Sequence, residues 1–334
     1  MISTKKINWL QSVKSIIAYF LLLGIIGTTL LSLGGYVGWN RFLELTSHFQ
    51  LQYLVISLLL FGLLALTRKK SFIIISLFCI TIILTEIVPW YIPRTGVGGE
   101  PTGNVRVFLS NVSEENQRYS KVLSLVREER PDVAVFIEVG DTWVKQLESL
   151  KDILPYSVDR ANLSNLVITV YSKLPLENVV VDNFGTTERT SILGNLTINR
   201  QVVSLIATHP ATPVEPAGFE SRNKQLEAIS QYIQQLKTPV LMVGDLNITM
   251  WSPYYKRFVR ETGLRNARQG FGILPSWSPK TELSEIPFVL AWLLSIPIDH
   301  CLISPGIRVS NIRTGPYVGS DHRPVITDLV ITGK

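Results

Sequence analysis

The stretch Val243–Thr249 reads "VGDLNIT" and completes an apolar run that begins at Val240. A run that dives toward a core and then surfaces into Gly, Asp and Asn ends by presenting a carboxylate and a carboxamide close together. Side chains alternate along a strand, so the spacing predicts that Asp245 and Asn247 face one site. A buried strand that finishes on a charge costs free energy unless the charge is paired, ligates a metal or meets solvent in a cleft.

The same pattern recurs along the chain. Other apolar runs end in "LSNV" with Asn111, "FIEVG" with Glu138, "ATHP" with His209, "IDH" with Asp299 and "GSDHRPV" with Asp321 and His322. Taken singly, each reads as a turn former or a hydrogen-bonded imidazole. Recurrence at successive strand ends points instead to one shared site. Carboxylate and amide oxygens with few imidazoles suit a hard cation, Mg²⁺ or Mn²⁺. Histidine beside a carboxylate suits proton transfer and phosphate binding near neutral pH. Together these are the parts for metal-assisted hydrolysis of a phosphoester, in which an aligned water attacks and donors meet the developing charge.

Short β-rich runs surround these ends, at Val105 to Val112, Val133 to Val139, Leu166 to Tyr171, Asn178 to Val181, Ile192 to Ile198, Val202 to Thr208, Val240 to Val243, Asp299 to Ile303 and Val325 to Ile331. Several are apolar on both faces, as strands inside a layered fold are. One helix is expected from a Ser113 cap with Glu114 and Glu115 in its first turn, stopping before Pro131; another is expected over about 221–236. Strands and helices mix without strict alternation, which favours two packed sheets flanked by helices over a doubly wound parallel sheet.

The chain has 334 residues, of which 46% are hydrophobic, and the excess is concentrated near its start. Ser15 to Trp39 and Phe49 to Thr67 carry no charge, and Ser71 to Ile92 carries only Glu86. Each run meets the roughly 20 residues needed to cross a bilayer as a helix. Three transmembrane helices are therefore expected at about 15–39, 49–67 and 71–92, within a membrane anchor over 1–94. Trp39, Trp90 and Tyr91 stand at span ends, where aromatic rings favour the interface. A Gly- and Pro-rich linker over 95–103 leads to a domain over 104–334.

Lys5, Lys6 and Lys14 precede the first span, and Arg68, Lys69 and Lys70 fill the loop between the second and third. This bias predicts a cytoplasmic N-terminus and, after three crossings, a domain outside the cytoplasm. The net charge is +6, and residues 1–94 hold eight basic side chains against two acidic ones. The remaining 24 of each sign cancel, so the domain lacks the broad basic footprint of a general nucleic-acid binder. Cys301 is the domain's single cysteine, so the domain has no internal disulfide.

"GDLN" at Gly244–Asn247, then "IDH" at Ile298–His300 and "SDHRPV" at Ser320–Val325, resemble the motifs of the endonuclease/exonuclease/phosphatase superfamily. The resemblance spans roughly Val105 to Ile331 and is nearest to the membrane-anchored bacterial branch, including "GFGILPSW" at Gly270–Trp277. It implies a four-layer α/β sandwich of two packed mixed sheets with the site at one edge, here preceded by the three transmembrane helices. It also implies roles. Glu138 would be the main metal ligand, supported by Asn111, and Asp245 would align and deprotonate the water, with Asn247 positioning it. His322, oriented by Asp299, would contact the scissile phosphate; Asp321 would support the metal or the imidazole; His209 would hold a phosphate oxygen. The chain departs from the family where Ile137 precedes Glu138, a position at which relatives often have Gln, and where Val112 and Ser113 follow Asn111.

Two further residues are candidate substrate contacts, Arg222 as a bidentate phosphate donor and Trp277 as a stacking platform. The run "IPFVLAWLLSIP", Ile286–Pro297, reads as buried packing or as an apolar lip on a bilayer. Four Asn-x-Ser/Thr triplets begin at Asn111, Asn162, Asn195 and Asn247, and glycans on two of them would block the site. The sequence thus predicts a membrane-anchored, Mg²⁺- or Mn²⁺-dependent phosphoesterase. Its expected partners are the bilayer, through its helices, and a phosphate-ester substrate: a lipid headgroup, a nucleotide or nucleic acid. No obligate protein partner is inferred. An extracytoplasmic nuclease is the rival enzyme, and a vestigial membrane scaffold the rival from another class.

Overall fold

A computed structural model describes residues 2–37, 40–93, 103–158, 167–186, 189–279, 287–332. Trp39, nearly all of the expected linker and the Asn162 triplet lie outside the described residues. The chain divides into two compact units, Met1–Pro89 with Trp251–Pro253, and Trp90–Met250 with Tyr254–Lys334.

Three helices, all of whose residues but Trp90 belong to the first unit, are long and apolar enough to cross a membrane, over Gln11–Tyr36, Arg41–Ala65 and Lys70–Trp90. The second begins earlier than expected, because Asn40 caps a short helix, Arg41–Thr46, by accepting from the Leu43 N–H at 3.0 Å. Ala18, Ile25, Leu64 and Cys79 form a common packed core. The hydroxyls of Thr28 and Ser57 bond at 2.7 Å and Ser32 donates to Gln50 at 2.5 Å, so polar groups at these depths are paired between helices. Phe20, Leu59 and Phe78 point outward, the arrangement an apolar solvent favours.

The second unit holds twelve strands among the described residues: β1 (Val105–Asn111), β2 (Val133–Ile137), β3 (Tyr156–Val158), β4 (Ile168–Ser172), β5 (Glu177–Asp182), β6 (Ser191–Ile198), β7 (Gln201–Thr208), β8 (Val240–Asp245), β9 (Arg265–Asn266), β10 (Asp299–Ile303), β11 (Arg308–Thr314) and β12 (Val325–Val330). They form two six-stranded mixed sheets, β11-β12-β1-β2-β4-β3 and β5-β6-β7-β8-β10-β9. In each sheet one central pair, β1–β2 and β7–β8, is parallel.

Alternation sorts the side chains into layers. Val107, Leu109, Val133 and Val135 join Leu205, Leu241, Val243 and Cys301 in one buried cluster drawn from both sheets. Phe108, Ala134 and Phe136 face the other way, onto Val122 and Val126 of the helix Tyr119–Glu129 and Trp143 of the helix Asp141–Leu147. Strands covered on both faces explain the unbroken apolar runs. The expected architecture of two packed mixed sheets with flanking helices is therefore observed.

Helix starts moved. The first helix begins at Tyr119, because Ser113 adopts φ 57° and the intervening residues build a loop: Asn116 donates to the Val112 carbonyl at 3.0 Å, and Ser113 offers its carbonyl to Trp143 Nε1 at 3.0 Å. The second begins at Pro216, earlier than its apolar face suggests, since Pro is pre-shaped for a first turn. The short strands β3 and β9 and the strand β11 were not legible as apolar runs.

Gly244 sets the approach of β8 to β7. A Cβ there would stand 1.9 Å from the Thr208 carbonyl oxygen. Gly194 on β6 has room, with nothing nearer than 3.5 Å. Gly244→Ala is expected to destabilise the full chain by about 1–3 kcal/mol, as overpacking of a core does. Gly194→Ala should change stability far less; denaturant unfolding of both variants measures the contrast.

Candidate active site

The polar strand ends meet at one edge of the two sheets. Asn111, the last residue of β1, is fully buried and its amide Nδ2 donates to Glu138 Oε1 at 2.9 Å and to Asp245 Oδ2 at 3.2 Å, with His322 Nε2 at 3.4 Å. Its Oδ1 accepts from the Ser113 N–H at 3.1 Å, which fixes the amide's orientation. Glu138 follows β2 directly and adopts φ 59°, a strained region for a residue with a side chain. His209, just after β7, faces Glu138 Oε1 with Nε2 at 3.4 Å and the Asp245 carbonyl with Nδ1 at 3.2 Å.

Asp245 ends β8 and Asp299 begins β10, and the two are register partners across the antiparallel pair. Like charges so placed repel. His322 relieves this: its Nδ1 lies 2.8 Å from Asp299 Oδ2 and its Nε2 3.7 Å from Asp245 Oδ2. Asp299 and Asp245, more than enough to offset the burial that opposes its charge, raise the His322 pKa well above the usual imidazole range. Burial, reinforced by Asp299, raises Asp245, although His322 and His209 oppose the rise. Burial also pushes Glu138 upward, but bonds and charge from His209, with Asn111 and His322, hold it down at about 2. The site thus offers an ionised carboxylate, a carboxylate disposed to take a proton, and a cationic imidazole.

Two groups have ligand atoms mutually within 4.8 Å, Glu138 with His209 and Asp245, and Asp245 with Asp299 and His322. Glu138 is the more accessible member, its side chain 37% exposed, against 1% for His209 and 2% for Asp245. An ionised, oxygen-donating carboxylate at the accessible side of a buried polar cluster fits a hard divalent cation.

A model of the endonuclease/exonuclease/phosphatase family matches residues 102–322, which contain every one of these groups. The chain belongs to this family. No curated protein sequence matches it. Among solved structures, D. rerio TDP2 complexed with a single-strand DNA product aligns at a TM-score of 0.55 and 15% identity, covering 67% of this chain and 98% of that one. An endonuclease/exonuclease/phosphatase protein from Beutenbergia cavernae aligns at 0.52 and 20% identity, covering 69% and 72%. Beta toxin from Staphylococcus aureus aligns at 0.51 and 16%, covering 67% and 99%. These likenesses establish the fold. Members of the endonuclease/exonuclease/phosphatase family use divalent metals, and the residues present fit one.

Asn111, Glu138, His209, Asp245, Asp299 and His322 converge as the sequence predicts. Asn247 reaches the site by another route: β8 ends at Asp245, and Asn247 adopts φ 49° in a turn where its N–H donates to Asp245 Oδ1 at 2.9 Å and its Nδ2 to the Pro210 carbonyl at 3.0 Å. Strand alternation does not extend that far. Asp321 lies outside both groups; its carboxylate accepts from Trp277 Nε1 at 3.0 Å and its charge helps to raise the His322 pKa, so it stands with the imidazole rather than with the candidate metal groups. Arg222 is fully buried and donates to the Asn247 carbonyl at 3.0 Å and to Asn223, so it braces the turn rather than presenting a free fork to phosphate.

Sequence reasoning missed three supports. Ser320 Oγ accepts from the His322 N–H at 3.0 Å and Ser276 Oγ from the Asp299 N–H at 3.2 Å. Arg268 is fully buried; burial lowers its guanidinium to about 10 while Asp299 supports its charge, so it remains a cation that acts on Asp299. Its only signal was a charged residue beside a Gly-rich turn. His300 also proves structural: Nε2 donates to the Ile248 carbonyl at 2.8 Å, and Nδ1 accepts from Asn266 at 3.0 Å.

Two outcomes follow from this electrostatic arrangement. Asp299→Asn should keep the fold but lower kcat by about 10²-fold or more, because His322 loses the carboxylate that orients and charges it; steady-state kinetics with circular dichroism separates the two effects. Burial, with help from Arg268, lowers the His300 pKa from 6.5 to about 3. A depressed folded pKa gives stability that is complete above 6.5 and declines as pH falls below it. The stability advantage of the native chain over His300→Gln is therefore expected to shrink by about 2 kcal/mol on acidification to roughly pH 5, read by denaturant unfolding at each pH.

Proposed function

We propose that this chain is a divalent-metal-dependent phosphoesterase, with Mg²⁺ or Mn²⁺ as its ion, anchored by its three N-terminal helices and displayed outside the cytoplasm. One observation carries the reading: the Asn111 amide lies within hydrogen-bond reach of Glu138, Asp245 and His322, three residues brought from separate chain segments to a single point. A structural role for any one of them does not account for a buried imidazolium among carboxylates at a strand edge.

Glu138 would hold the ion, with His209 beside it. When bound, the ion supplies Lewis-acid polarisation of the phosphoryl oxygens. Asp245, raised by burial, accepts the proton of the attacking water, whose oxygen forms the new bond to phosphorus while one ester P–O bond breaks. His322, kept cationic by Asp299, donates to a phosphoryl oxygen as charge develops. Asn111 orients Glu138 and Asp245, and Arg222 steadies the Asn247 turn.

The bias of Lys and Arg supports a cytoplasmic N-terminus and so a domain on the far side of the membrane. The neutral charge of the domain supports a lipid headgroup or nucleotide over bulk nucleic acid. A nuclease is the second reading, favoured by the likeness to D. rerio TDP2 complexed with a single-strand DNA product. Full-length protein in detergent, assayed on bis(4-nitrophenyl) phosphate, phospholipid vesicles and plasmid DNA, tests these readings. Turnover that EDTA abolishes and Mg²⁺ or Mn²⁺ restores is expected. Selective nicking of plasmid would favour the nuclease, and absence of any turnover with metal would leave the scaffold.

A further inference from the structure

A cleft of about 470 Å³ lies beside the catalytic groups and belongs to none of them. Its walls are largely apolar, with Tyr91, Phe271, Leu274, Trp277, Trp292 and Tyr317 among them. The segment that carries Trp277 is zipped to the segment that carries His322: Ser278 N–H donates to the Asp321 carbonyl at 2.9 Å, and Arg323 N–H to the Ser276 carbonyl at 2.7 Å. Asp321 and Arg323, on either side of His322, both line the cleft. A phosphoester held at His322 therefore has an apolar cavity next to it.

The rim of the cleft is a short helix, Phe288–Leu293, with an inverted burial pattern. Ala291 is buried, and its carbonyl accepts from Ser295 Oγ at 2.9 Å and Ser278 Oγ at 3.3 Å. Val289, Leu290 and Trp292 are instead 68%, 48% and 62% exposed. A helix that is anchored by its small residue and bares its large apolar ones is suited to an apolar medium.

Chain continuity says which medium is at hand. Trp90 is the last residue of the third candidate span. Its carbonyl accepts from Gly270 N–H at 3.0 Å and Gly272 N–H at 2.9 Å, and Tyr91, one peptide further, lines the cleft. Gly272 has φ +103°, and a Cβ there would stand 2.9 Å from the Tyr91 ring, so the glycine allows this close approach. Consecutive Cα atoms are about 3.8 Å apart, so Tyr91 of the cleft wall follows the end of the candidate span by a single residue along the chain.

We propose that the cleft takes the hydrocarbon chain of a membrane lipid whose phosphoester is the substrate, with Val289, Leu290 and Trp292 dipping into the bilayer surface. This rests on the phosphoesterase reading and names its substrate class. Water attacks phosphorus and gives a proton to Asp245, the P–O bond to one ester alcohol breaks, and the alcohol leaves with a proton that balances the one taken from the water. A nucleobase stacked on Trp277 is the competing occupant. The balanced charge of the domain and the aliphatic rim favour the lipid.

Full-length protein in phospholipid nanodiscs, supplied with Mg²⁺, tests the assignment against a long-chain phospholipid in the disc, bis(4-nitrophenyl) phosphate and single-stranded DNA in solution. Preferred turnover of the lipid is expected, and Val289→Ser with Leu290→Ser should lower the ratio of lipid to soluble-ester turnover by about tenfold, the loss expected for two apolar contacts at a bilayer surface. Both positions are exposed, so folding is spared, and Val289→Ile with Leu290→Phe should retain the ratio. An unchanged ratio in the serine variant, or preferred cleavage of DNA or the soluble ester, overturns the lipid assignment alone. Failure to hydrolyse any phosphoester removes the phosphoesterase reading and this one with it.

Discussion

The site depends on one buried contact, the His322 imidazole against Asp299. β8 and β10 are antiparallel neighbours, and their register sets Asp245 opposite Asp299 at the sheet's end. Two buried carboxylates in that position are stable together only if a cation or a proton comes between them. His322 supplies the charge from a loop that enters the other sheet through β12, so the pairing joins the two sheets at the edge where Asn111 and Glu138 emerge from β1 and β2. Arg268, also buried, adds a second positive charge that acts on Asp299. Fold and chemistry share a cause here: strand register creates the repulsion, and the groups that relieve it are those able to bind and cleave a phosphoester.

Much of this was legible because the chemistry is written at strand ends. Apolar runs marked β1, β2, β7, β8, β10 and β12, and a residue at or just outside one end of each run identified its polar contribution, the C-terminal end for the first four and the N-terminal end for β10 and β12. Legibility failed where backbone turns away from regular geometry. Ser113, Glu138 and Asn247 all have positive φ, and no periodicity forecasts the direction of a side chain placed by such a turn. Arg222 looked like a substrate contact by type, but burial and hydrogen bonds direct it to the Asn247 turn, while Asp321, read as a support of metal or imidazole, bonds Trp277 and adds its charge at His322. Arg268, Ser276 and Ser320 serve groups distant in sequence, so only the folded chain shows what they do.

The apolar features form a second system beside the polar one. Three long apolar helices, the Trp90–Tyr91 segment bound to the 270–272 loop, the largely apolar cleft and the exposed face of Phe288–Leu293 are its parts. A soluble enzyme gains nothing from presenting Val289 and Trp292 to water. In a protein with membrane-length helices the same residues have an apolar surface to meet. The family fold supplies the hydrolytic edge, and this chain's own residues would set what reaches it.

The central claim is that the strand ends assemble a divalent-cation site around Glu138. Titration of the full-length protein with Mn²⁺, followed by electron paramagnetic resonance, measures this without reference to any substrate. The account predicts saturable binding that Glu138→Gln weakens by about tenfold or more, as loss of a ligand or its support does, while the variant's unfolding transition stays cooperative. Binding of equal strength in the native chain and in Glu138→Gln, or no saturable binding in either, would contradict it.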